Sequence, residues 1–159
     1  MRLTTLAVLA GLMLTPLPAA AQGQFAQVPA EYRGDWVAAS AACTATVRVR
    51  VEATRITLVN GTDTESLGSL EMAGPGFFPP DYMGIQAVAI TEFSGDQPLI
   101  ATFNHAEKKG VAIVEFAIAG PDRPGNAVLN KMNAHFRKLN LAKRFPLHQV
   151  PLKKCPAAR

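Results

Sequence analysis

The chain has 159 residues, with 16 Lys or Arg against 12 Asp or Glu and only two cysteines. That length suits one domain, and no internal repeat, low-complexity tract or linker divides it. No segment offers the roughly 18 unbroken apolar residues of a transmembrane anchor.

The opening MRLTTLAVLAGLMLTPLPAAAQ has a positive charge at Arg2, an apolar run from Leu6 to Leu14, a break at Pro16 and Pro18, and small residues Ala19 to Ala21. This is the plan of a secretory signal peptide. The expectation is cleavage after Ala21, a bacterial periplasmic or secreted location, no transmembrane segment after cleavage, and a single β-rich domain over residues 22–159. Both cysteines survive that cleavage and lack CxxC spacing, so in an oxidising compartment Cys43 and Cys155 are expected to form a disulfide.

The first strand is expected at GDWVA, 34 to 38. In TVRVRV the residues Val47, Val49 and Val51 share one face and Arg48 and Arg50 the other, the alternation of a half-buried strand. Asn60-Gly61 between two strand-like runs marks a hairpin, with both residues expected at positive φ in a type I′ turn. Residues 73 to 84, AGPGFFPPDYMG, must form a loop, because proline removes donors that a ladder needs. Three runs then follow at 85–93, 97–103 and 110–118, the pattern of an antiparallel meander. Their two faces are both largely apolar, which calls for cover on both sides.

The cover expected is the segment 126 to 140, where Val128, Leu129, Met132, Phe136 and Leu139 fall in one sector of a helix. Two prolines keep the following tail, RFPLHQVPLKKC, extended. The fold class expected is mainly β (α+β): an antiparallel meander forming a small barrel or half-barrel, with one C-terminal amphipathic helix packed on the sheet.

Gly34-Asp35-Trp36 at the first strand, the meander, the helix after it and the tail cysteine together resemble the lipocalin and wider calycin barrels. The resemblance implies that Gly34 and Trp36 are structural, with Trp36 packed under the barrel floor and covered by a basic residue, for which Arg144 is the nearest analogue. It also implies a binding module rather than an enzyme.

Catalytic chemistry finds no foothold in the sequence. Ser40, Ser66, Ser69 and Ser94 lie in neither Gly-x-Ser-x-Gly nor Ser-x-x-Lys. His105, His135 and His148 lack paired metal-ligand spacing, and no Gly-rich phosphate loop occurs, so no metal, cofactor or catalytic residue is assigned.

Charge and aromatic residues supply the remaining candidates. From Arg123 onward there are nine basic and no acidic residues, whereas residues 22 to 122 hold six basic and twelve acidic. Lys131, Arg137, Lys138, Lys143 and Arg144 are therefore candidates for contact with an anionic envelope surface, against the alternative that they pair with the acidic sheet. Nucleic acid is not expected, since interleaved aromatic residues are sparse there. Phe77, Phe78 and Tyr82 are candidate contacts on a proline-stiffened loop. The function expected is an exported non-enzymatic binding module for a small apolar ligand or a protein, or alternatively an envelope-associated protein that binds an anionic partner through its basic C-terminal segment.

Overall fold

The computed structural model describes residues 27–67, 70–73, 84–89 and 97–156, with only the backbone of Met72 and Ala73. The expected signal segment and the expected loop with Phe77, Phe78 and Tyr82 lie outside the described residues. The elements are β1 (Gly34–Ala38), β2 (Val47–Val51), β3 (Ile56–Asn60), β4 (Asp63–Leu67), β5 (Leu70–Ala73), β6 (Ile85–Ala89), β7 (Leu99–Phe103), β8 (Val111–Phe116), α1 (Ala127–Leu139), α2 (Leu141–Arg144) and β9 (Leu152–Lys154).

All nine strands join one antiparallel sheet in the order β4, β3, β2, β1, β9, β8, β7, β6, β5. Its two edges, β4 and β5, are separated in sequence by only two positions. Three Cα steps span at most about 11 Å. The sheet must therefore curl until its edges are neighbours, and the result is a nearly closed nine-strand barrel. The fold is mainly β, as the alternation and turn spacing predict.

Local chemistry explains the individual strands. In β2, Val49 and Val51 are buried while Arg50 is exposed, as a period of two requires. The β3–β4 hairpin differs from the expected turn: Asn60 pairs with Asp63, so the two-residue loop is Gly61-Thr62. Gly61 alone has positive φ there, at +61°, which matches a turn with glycine at its first central position. Asn60 is freed from the turn, and its Nδ2 donates to the carbonyl of Arg144 at 2.7 Å.

Side chains fill the barrel interior. Trp36, Ile56, Leu58, Leu99, Phe103, Phe145 and Leu152 are all under 2% exposed. Ala87, Ala89, Ala101 and Ala112 on β6 to β8 leave room for these larger groups, and Phe103 lies opposite Ala112. Leu141, Phe145 and Leu147 come from α2 and the turn after it, and they join the same core. Each buried side chain of that size contributes about 1.5–3 kcal/mol, so this plug does more for the barrel than α1.

Helix α1 begins at Asn126, whose Oδ1 accepts from the Leu129 amide, and ends at Asn140 in the left-handed conformation. Arg137 and Lys138 in its last turn complement the helix dipole. Its apolar sector is only shallowly seated. Val128 is 77% exposed, Leu129, Met132 and Phe136 are half-buried, and Leu139 alone of the sector packs on the core. The buried residue of the helix is Asn133, whose Oδ1 accepts from Gly120 N at 3.0 Å and whose Nδ2 donates to Pro121 O at 3.1 Å. The helix is thus moored to the connector after β8 by hydrogen bonds as well as by apolar contact. On the outer face of β8, Val111, Ile113 and Glu115 stay half-exposed.

Candidate functional site

A cleft of about 510 Å³ opens where the chain enters β1, where β7 turns into β8, and where β9 ends. Its walls include Tyr32, Trp36 and Asn104, and its rim carries Glu31, Glu107, Lys109 and Lys154. A 3-10 turn at Ala30–Tyr32, following Pro29, delivers Tyr32 to this end of the barrel. The Tyr32 and Phe103 ring centroids are 5.1 Å apart, and Trp36 lies 5.3 Å from Phe103. The Trp36 indole Nε1 donates to the Tyr32 carbonyl at 2.9 Å, which satisfies the polar atom of a ring only 1% exposed.

Asn104 fixes the opposite wall. It takes the left-handed conformation, φ 54°, which asparagine tolerates better than most residues. From there its Nδ2 donates to the Tyr32 hydroxyl at 3.2 Å, and its Oδ1 accepts from Gly110 N at 3.0 Å. Ala106 and Glu107, in the same hairpin, also have positive φ, at 50° and 61°. Such backbone persists only where its surroundings enforce it. Lys154 crosses above Gly34 and donates to the Glu31 carbonyl at 2.7 Å. Burial first, and the neighbouring Glu31 second, push the Tyr32 phenol above its ordinary ionisation range. The cleft therefore offers an aromatic floor, a neutral hydroxyl and a rim of both charges.

Gly34 and Trp36 both lie at this end, Trp36 in the cleft floor. Arg144 does not cover Trp36. Its guanidinium lies 4.9 Å from the ring centre of Phe145 and binds Asp63 and Glu65 on β4, while Trp36 is contacted by the Tyr32 carbonyl and the Phe103 ring. Cys43 and Cys155 are disulfide-bonded, with Cα atoms 5.6 Å apart, and they tie the tail to the β1–β2 connection.

The five basic candidates of the C-terminal segment differ in their surroundings. Arg137 binds Asp122 through both carboxylate oxygens at 3.0 Å, and Arg144 is engaged with β4. Lys131, Lys138 and Lys143 are exposed on α1 and α2. Arg137 and Arg144 are therefore matched within the protein itself.

Ser69 and Ser94 lie outside the described residues. Ser66 pairs with Thr57 at 3.3 Å on an exposed face, and His148 Nδ1 accepts from the Phe116 amide at 2.9 Å. Among the described residues no three His, Cys, Asp or Glu side chains converge as a metal site. Tyr32, Asn104, Lys109 and Lys154 were not singled out in the sequence, although an asparagine opening a hairpin loop is a known signal for left-handed backbone. No protein-family model matches the chain, and neither does any curated protein or solved structure.

Proposed function

We propose that the protein is an exported, lipocalin-like binding module that holds a small ligand with an apolar or aromatic body at the mouth of its barrel. The observation that carries this reading is the cleft walled by Tyr32, Trp36 and Asn104, whose volume falls within the range of small-molecule sites, about 300–1,000 Å³. The filled interior favours the mouth over the core as the place for a ligand. The signal-like residues 1–21 support export, and a cystine is compatible with the oxidising compartment such export reaches. No helix among the described residues is long and apolar enough to cross a membrane.

The test uses Trp36, the sole tryptophan. Titration with anilinonaphthalene sulfonate, an apolar anion, should show saturable energy transfer from Trp36 at one probe per chain, weakened by Lys109→Glu with thermal stability unchanged. Unsaturable binding, or binding indifferent to Lys109→Glu, would remove the cleft from consideration.

A further inference from the structure

Beside the cystine, a second groove of about 930 Å³ runs over the outer faces of β1, β2 and β9. Arg33, Arg48, Arg50 and Lys154 line it, together with two carboxylates, Asp35 and Glu52. Strand register assembles the centre of this cluster, since Asp35 lies opposite Arg50 on β2, and Lys154 reaches its edge from the end of β9. Asp35 is fully engaged, with Arg50 Nε at 3.0 Å and Arg48 Nη1 at 3.6 Å. Arg33 and Lys154 donate to neutral acceptors, the carbonyls of Val28 and Glu31, which leave their charges uncompensated. Four cations against two carboxylates leave the groove with two positive charges in excess. Arg48 adds a more specific signal. Its Nε–H is buried and has no acceptor among the described residues. A buried donor of this kind is rare in folded proteins and marks a position where an oxyanion would complete the hydrogen bonding.

We propose that this groove binds a phosphate-type dianion, carried either as free phosphate or as the phosphomonoester headgroup of a lipid. The site is separate from the Tyr32 cleft in chemistry, sharing only Lys154 at its rim, and it does not depend on the reading of that cleft. It also places most of the anion-binding cations on β1, β2 and the chain leading into β1, with Lys154 as the contribution of the basic segment that follows Arg123.

The experiment follows the arginine Nε–H resonances by NMR during titration with inorganic phosphate, beside co-flotation with vesicles of phosphatidic acid or phosphatidylcholine. The Arg48 signal should shift saturably, or the protein should float with phosphatidic acid alone, and either affinity should fall about tenfold or more in Arg48→Gln. Arg50→Gln, at an exposed position, should act in the same direction and covers the case in which Arg48→Gln fails to fold. Binding of phosphate without flotation assigns the free anion; flotation lost in these variants assigns the lipid headgroup. The proposal is overturned by absence of both signals, by affinity unchanged in both arginine variants, or by binding that Lys138→Gln on α1 abolishes while Arg50→Gln does not.

Discussion

Arg144 grips Asp63 with two hydrogen bonds, Nη2 to Oδ1 at 2.7 Å and Nε to Oδ2 at 3.0 Å, although the two residues are 81 positions apart. The same guanidinium reaches Glu65 at 2.8 Å and the Leu139 carbonyl at 3.1 Å. It thereby joins the plug that fills the barrel to the β3–β4 hairpin on its wall.

Arg144→Gln should lower the melting temperature by a few degrees, and Arg144→Lys should recover only part of that, because an ammonium lacks the two-pronged geometry. Arg144 hydrogen bonding holds the Asp63 carboxyl below its ordinary value. The charged form is thus favoured in the folded state, so the stability it contributes is present at neutral pH and is lost as pH falls below the usual carboxylate range. Urea denaturation between neutral and acidic pH checks this. Arg144→Gln should flatten the acid limb, and an unchanged slope would show that the pair does not matter.

Removing the disulfide by Cys43→Ser with Cys155→Ser closes no loop in the unfolded chain. For a separation of 112 residues the chain-entropy model predicts a loss of about 4–5 kcal/mol. Equilibrium unfolding of the double variant against the parent measures it, and addition of reductant to the parent should reproduce the variant's curve.

Gly34 has φ +124°, and a Cβ there would stand 3.3 Å from Lys154 Cε. Gly34→Ala should destabilise by about 1–3 kcal/mol through its backbone conformation. Since the flexible lysine end can move aside, adding Lys154→Ala should restore little. Full recovery in the double variant would show that the close contact, rather than φ, requires glycine.

The Tyr32 phenol, raised by burial and by Glu31, should ionise above its ordinary value near 10. For an acid whose folded value is raised, the associated stability is present below the unfolded value and disappears as pH rises through the folded one. Ultraviolet titration of Tyr82→Phe, which leaves Tyr32 as the only tyrosine, should show a single late transition that moves to the ordinary range on unfolding.

Much of the fold is legible in the sequence because strand alternation is a local property. Val49 and Val51 against Arg50, and Ala112, Val114 and Phe116 on one face of β8, could be read residue by residue. What escapes is whatever depends on partners far along the chain. Ile118 continues the β8 alternation yet is 67% exposed, because the ladder has ended before it. Leu152–Lys154 is too short to announce a strand, and only the flanking edges of β1 and β8 make it one. The same holds for the cleft: Tyr32 and Asn104 are 72 residues apart, and no local pattern connects them. Nor does sequence distinguish Arg144, committed to β4, from Lys138, which is exposed.

The place of β9 in the sheet has a consequence for timing. The final strand in the chain is inserted between the first and the eighth. As the chain emerges from a ribosome, β1 and β8 each present an unpaired edge until residues 152–154 arrive. Completion of the wall is therefore postponed until nearly the whole chain has been delivered, and such long-range pairing is slow, on the order of milliseconds to seconds. A chain cut just before Leu152 would keep most of its core side chains and lose the strand that hydrogen-bonds β1 to β8.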